Sequence, residues 1–233
     1  MEENRKIELI QFVHFLGNIL GDNVEIVLQI IEPDHNYIGA IVNGHISGRT
    51  KNAPLTGLAL EMIKNKVYKK QPYIQNYKGI TKDNRDIQAS TYFIKSPEGE
   101  LEAMLCFNVD ISPYVILSQK ILNLGNIKMD VQSDKIAKNH VDSPTSNGVE
   151  FIEYFSETLK DIIYSIVPAN VLNSNVALKP EQKIEIVKIL FDKGFFEVKG
   201  AVSQVAEILK ISEPSVYRYL KQVESTDESM SVF

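Results

Sequence analysis

Residues 200–221, GAVSQVAEILKISEPSVYRYLK, hold two short amphipathic stretches separated by three residues. The first offers Val202, Val205, Ala206 and Leu209. The second offers Val216 and Tyr219 or Leu220, with Ile211 in the connection. Apolar side chains at three- and four-residue spacing form stripes that must be covered. Two helices crossing steeply over so short a link need a small residue where they touch, and Ala206 supplies it. Ser212 is suited to cap the second helix, and Pro214 falls in its first turn, where no intrahelical donor is lost. The pattern predicts a helix-turn-helix whose second helix runs from Glu213 to about Val223. A preceding helix opens at Pro180, uses Ile184, Val187, Ile189, Leu190 and Phe191, and stops at Gly194. Phe195 and Phe196 follow, apolar enough to be buried. Lys210 stands at the turn position often taken by glycine.

The second helix leaves Ser215, Tyr217, Arg218 and Lys221 on its outer side. Their side chains donate well to phosphates and base edges. Ser215, Tyr217 and Arg218 are expected at bases, and Lys199, Ser212 and Lys221 at phosphates. Residues 179–223 carry eight Lys or Arg against six Asp or Glu, +2 locally where the whole chain carries −5. Because affinity for double-stranded DNA scales with the phosphates neutralised, +2 suits a homodimer or higher homo-oligomer reading two half-sites. The competing reading is a three-helix bundle that only packs against the rest of the chain.

Upstream, the period changes. Residues 5–20 read as an amphipathic helix, and Val24–Ile31 and Tyr37–Asn43 as two strands joined by a turn over Pro33–Asn36. A helix is expected from Pro54 to about Val67. Lys69–Lys82, rich in Tyr and Lys, reads as irregular and solvated. Ile87–Lys95 and Leu101–Asp110 read as a hairpin, with a helix to follow over Tyr114–Leu124. Lys135–Gly148 has linker composition. Glu150–Val167 reads as one amphipathic helix ended by Pro168. A small α+β domain around an antiparallel sheet follows from this order.

Asn43-Gly44-His45-Ile46-Ser47-Gly48-Arg49 is a polar, glycine-flanked loop at a strand end. Asn43, His45, Ser47 and Arg49, together with Ser90, Thr91 and Asn108, form a candidate pocket for a small polar effector, with Arg49 able to fork onto a carboxylate. The alternative is that these groups only satisfy one another in a tight loop. Cys106, the single cysteine, reads as a buried small hydrophobe rather than a sensor thiol. The four histidines have no paired ligand spacing, so no metal is assigned. No phosphate-binding loop, dinucleotide fingerprint, nucleophile elbow or zinc-protease motif occurs. Neither a cofactor nor a catalytic residue is therefore assigned, and the chain is not expected to be an enzyme. No apolar run reaches the ~18 residues of a membrane span, and a cytoplasmic protein with no membrane partner is expected.

In the order of NGHISGR (43–49), Pro54-Leu55-Thr56, Ser90-Thr91 before Phe93-Ile94, LCFNVD (105–110) and the segment 200–221, the chain resembles the YheO-like PAS-domain transcriptional regulators, with a DauR-type helix-turn-helix C-terminus. The resemblance covers about residues 5–223. It implies a PAS-like domain with a five-stranded antiparallel sheet in a bacterial regulator acting on DNA. Where the family usually has two serines before threonine, this chain has Ala89-Ser90-Thr91. The expected organisation is a PAS-like sensor over 1–125, a linker and amphipathic helix over 126–178, an all-α helix-turn-helix domain over 179–223 and a disordered tail over 224–233. The function implied is a DNA-binding transcriptional regulator responding to a small-molecule effector. The alternative is a non-catalytic dimerisation or docking module without a ligand.

Overall fold

The computed structural model describes residues 1–33, 35–83, 85–128, 151–155, 158–167 and 178–230. Six strands form one sheet in the order β2-β1-β5-β4-β3-β6. They are β1 Val24–Ile31, β2 Asn36–Val42, β3 Tyr73–Ile80, β4 Asp86–Lys95, β5 Leu101–Asp110 and β6 Ile152–Tyr154. Neighbours are antiparallel except β3 and β6, which are parallel. Side chains alternate across the sheet, so β1 sends Ile26, Leu28 and Ile30 to one face and Glu25, Val27 and Gln29 to the other. Helix α1, Glu3–Leu20, covers the first face, burying Val13 with Leu9, Ile10 and Leu16 against Ile26, Leu28, Ala40 and Leu105.

Residues 43–70 cover the second, inner face. Within them lie α2, Gly57–Lys64, and α3, Val67–Lys70. Thr56 caps α2, its Oγ1 accepting from the Ala59 amide at 3.2 Å. The single helix expected from Pro54 is broken at Lys66, which takes a left-handed φ of 48°.

Two further segments fold otherwise than the sequence predicts. Lys69–Lys82 is not irregular, because it contains β3. A bulge between Ile74 and Tyr77, with Asn76 at φ 57°, interrupts the alternation and hides the strand. Glu150–Val167 is not one helix. It contains β6 and then α5, Leu159–Ile166, which a capping box opens: Thr158 Oγ1 accepts from Asp161 N at 3.2 Å, and Asp161 Oδ2 accepts from Thr158 N at 2.9 Å. The expected linker over Lys135–Gly148 and Pro168 lie outside the described residues.

Helix α4, Ser112–Leu124, follows the sheet and buries none of its side chains. The C-terminal unit comprises α6 Pro180–Asp192, a 3₁₀ turn at Phe195–Glu197, α7 Ala201–Leu209 and α8 Glu213–Met230. Its core is Ile186, Val187, Leu190, Phe195, Val205, Leu209, Val216 and Val223, all buried and continuous with Leu60, Met62, Ile162 and Ile163. Each such side chain stabilises the fold by roughly 1.5–3 kcal/mol when fully buried. Helix α8 extends past Val223 through residues that were expected to be a disordered tail. The unit docks on α2: Lys193 Nζ pairs with Glu61 Oε2 at 2.6 Å, and Lys64 Nζ donates to the Phe191 carbonyl.

Candidate ligand site and nucleic-acid interface

The inner face of the sheet is polar where a core is normally apolar. Cross-strand register sets Glu25 beside Asn108 and Asn108 beside Ala89, while Ala89 in turn faces Tyr77. Glu25 accepts from Ser47 Oγ and from Asn108 Nδ2, each at 2.6 Å. Glu153 on β6 sits opposite Gly79 of β3. It accepts from Thr56 Oγ1 at 2.7 Å and from Tyr77 OH at 3.1 Å. Tyr77 OH also meets Thr91 Oγ1 at 2.8 Å, and Thr91 Oγ1 reaches Cys106 Sγ at 3.4 Å. Arg49 is 3 % exposed and donates from Nη2 to the Pro54 carbonyl at 2.6 Å.

Burial pushes both the Glu25 and Glu153 carboxyls above the usual carboxylate range. Their hydrogen-bond donors and the charge of Arg49 oppose the shift. Burial, with Glu153 nearby, pushes the Cys106 thiol up to about 12, which keeps it neutral and unreactive. Among the described residues five buried side-chain atoms have no hydrogen-bond partner: both amide atoms of Gln29, Asn36 Oδ1 at the start of β2, Asn108 Oδ1 and Arg49 Nε. Buried polar atoms are nearly always paired, and the unpartnered atoms of Gln29, Asn108 and Arg49 make the inner face the candidate ligand site.

Of the seven residues singled out for an effector, Ser47, Arg49, Thr91 and Asn108 meet on this face, all buried. The other three do not join them. Asn43, at φ 57°, ties the loop to the end of α1 and the start of β1 through Gly21 O and Val24 O. Ser90 Oγ accepts from Asn76 N at the β3 bulge, and His45 is exposed. Among the described residues Arg49 forms no ion pair with a carboxylate of the chain itself. Asp110 pairs instead with Arg85 at 3.0 Å. Sequence reasoning missed Glu25, Gln29, Thr56, Tyr77 and Glu153. A signal existed for two of them: Glu25 and Gln29 share the face of Val27 within an otherwise apolar strand. Among the described residues no group of three His, Cys, Asp or Glu is placed to hold a metal, and no helix is long and apolar enough to cross a membrane.

In the C-terminal unit, α7 and α8 contribute Val205, Ala206, Leu209, Val216 and Tyr219 to one core. Lys210 closes α7 at φ 51°, in the left-handed conformation that the turn requires. Ser203 Oγ donates to Glu213 Oε1 at 2.5 Å across the turn, and Ser212 Oγ meets Ser215 Oγ at 3.0 Å. Lys199, Ser212, Tyr217, Arg218 and Lys221 are exposed and Ser215 half-buried. The Arg218 guanidinium lies 5.4 Å from the centre of the Tyr219 ring.

A model of the YheO-like PAS domain family matches residues 2–126, more than half of the chain. The chain belongs to the YheO-like PAS domain family. A helix-turn-helix domain model matches residues 162–221, beginning within α5. An uncharacterised protein of Haemophilus influenzae is 26% identical over 212 residues, 90% of this chain and 87% of that protein. The protein YheO of Escherichia coli K12 is 26% identical over 217 residues, 91% of this chain and 82% of that protein. The transcriptional regulator DauR of Pseudomonas aeruginosa is 24% identical over 148 residues, 63% of each chain. A PAS domain joined to a helix-turn-helix is the build of a DNA-binding regulator, and that coarse assignment follows from the two matches.

Proposed function

We propose that this YheO-like protein regulates transcription by binding double-stranded DNA as a homodimer through α8, and that it answers to a small polar effector held on the inner face of its PAS sheet. The observation that carries the reading is the outward face of α8, where Tyr217, Arg218 and Lys221 stand exposed on a helix whose opposite face is fixed in a core. Ser215, Tyr217 and Arg218 serve base edges, and Lys199, Ser212 and Lys221 serve phosphates. The polar inner face, with Ser47, Arg49, Thr91 and Asn108, supports the effector site. An effector acts only through a difference in affinity between two arrangements of the molecule, and the docking of α6 on α2 provides an arrangement to shift.

A second copy of the chain is the partner that α1 and α4 fit. Phe12, Phe15 and Ile19 of α1 and Ile116, Leu117 and Ile121 of α4 are each about half exposed or more. Asn23 Nδ2, donating to Tyr114 OH at 3.0 Å, holds the start of α4 beside the end of α1. At ~150–250 Å² for a large side chain, these six half-exposed residues alone present roughly 450–750 Å² per copy, most of the ~800 Å² per partner of a standard interface.

The test is binding to fragments of the protein's own upstream DNA across a salt series. A preferred fragment is expected, with affinity falling as salt rises and discrimination lost in Arg218→Ala. Equal binding of all fragments by both proteins refutes the reading. Leu117→Glu is expected to lower the mass in light scattering to that of one chain, and an unchanged dimer mass removes the assigned interface.

A further inference from the structure

We propose that the sensor interior seats a small organic cation, an alkylammonium or amidinium group, between Glu25 and Glu153. Glu153 is supplied by the strand that leads into the DNA-binding unit. The inference rests on reading the inner face as an effector site.

Glu25 is fully buried and Glu153 is 4 % exposed. Each is held by two neutral donors, Ser47 and Asn108 in one case and Thr56 and Tyr77 in the other. Among the described residues no Lys, Arg or His forms an ion pair with either. Arg49 attracts both across a distance, but its guanidinium is bonded to Pro54 O and its Nε has no partner. Two carboxylates withdrawn from water without a contacting cation are strongly disfavoured. Asn108 Oδ1 and Gln29 Oε1 are buried acceptors awaiting donors. A protonated nitrogen meets both needs, and an acceptor elsewhere on the same molecule meets Arg49 Nε. The absence, among the described residues, of any three-ligand cluster favours an organic cation over a metal ion. An anion would have to enter beside two carboxylates.

The position of Glu153 in the chain gives the site a route to the DNA. It lies in neither family match, which end at residue 126 and begin at residue 162. Strand β6 pairs with β3 at Lys78–Ile152, Gly79–Glu153 and Ile80–Tyr154. The capping box of α5 opens five residues after Glu153, and α5 buries Ile162 and Ile163 in the core shared with α6 and α7. A cation drawing on Glu153 therefore acts on the strand that feeds the helix-turn-helix.

The experiment uses the full chain. Thermal unfolding at pH 7.5 is followed with ethylammonium, 1,4-diaminobutane or methylguanidinium chloride, against sodium chloride and sodium acetate at equal ionic strength. At least one cation is expected to raise Tm by about 2–4 °C over the salt controls. The rise is expected to vanish in Glu153→Gln and Glu25→Gln, both isosteric and free of a buried charge. The same cation is expected to change DNA affinity in the wild type and leave Glu153→Gln unchanged. An equal rise in the glutamine variants overturns the proposed seat. A rise with acetate and none with the cations overturns the charge assignment while leaving the effector reading standing. Flat responses throughout overturn the cation seat, and the regulator reading is then judged by its own DNA-binding result.

Discussion

Tyr77→Phe removes one hydroxyl from the centre of the sensor. That hydroxyl is 2.8 Å from Thr91 Oγ1 and 3.1 Å from Glu153 Oε2. The ring stays and leaves no cavity, so the change isolates the polar interaction. Thr91 keeps a contact with Cys106, and Glu153 keeps Thr56 on its other oxygen. The loss is one hydrogen bond to a charged group, ~1.5–3 kcal/mol, plus the smaller bond to Thr91, ~0.5–1 kcal/mol. The expected destabilisation is thus about 2–4 kcal/mol in urea unfolding at neutral pH. In a Glu153→Gln background the acceptor is a neutral amide, and the same substitution is expected to cost only about 1–2 kcal/mol. The cycle should return a coupling of about 1–2 kcal/mol between the two positions. Tyr77→Phe costing under ~0.5 kcal/mol, or a cycle that closes to zero, would refute the buried network as a source of stability.

Other consequences follow from single positions. A Cβ at Gly79 would lie 2.7 Å from the Phe155 ring, so Gly79→Ala should destabilise by ~1–3 kcal/mol and speed hydrogen exchange in β6 while sparing β1 and β2. Lys210 bears a side chain at φ 51°, so Lys210→Gly should raise stability by ~0.5–1 kcal/mol, and a fall in Tm would count against the turn geometry. Glu25 and Glu153 titrate in the unfolded chain near 4.5 and higher in the folded chain. Their protonated forms favour folding, so that stabilisation is present below 4.5 and is lost as pH rises through the folded values. Glu25→Gln should accordingly gain stability over the wild type between pH 5 and pH 8, as read by Tm against pH; a parallel pair of curves would contradict the shift.

How far the sequence discloses this molecule depends on the regularity of its periods. Strands β1, β2, β4 and β5 show their residues plainly, and the pattern from Pro180 to Val223 shows α6, α7 and the start of α8. Strand β3 is concealed because the bulge at Asn76 shifts its alternation by one residue, which turns an apolar row into an apparent scatter of Tyr and Lys. Strand β6 is concealed for another reason. Phe151, Ile152, Phe155 and Leu159 fall at spacings that a helix also satisfies, and only the Thr158–Asp161 capping box shows where the helix starts. The interior followed the same rule. Ser47, Arg49, Thr91 and Asn108 lie in recognisable motifs, whereas Tyr77 and Glu153 lie in the two strands that periodicity did not disclose. Glu25 and Gln29 look like solvent-facing positions until both faces of the sheet are seen to be covered.

The sixth strand bears on modularity. A sensor cut at the end of its family match would lose the wall that carries Glu153 and leave one side of β3 without a pairing partner, an open template for other strands. Grafting this sensor onto a foreign output domain would need a junction beyond Phe155. Exchanges made at the apparent domain boundary would return a protein with an unpaired β3 edge and prone to self-association. The two halves share a residue, and the seam between them runs through the sensor rather than beside it.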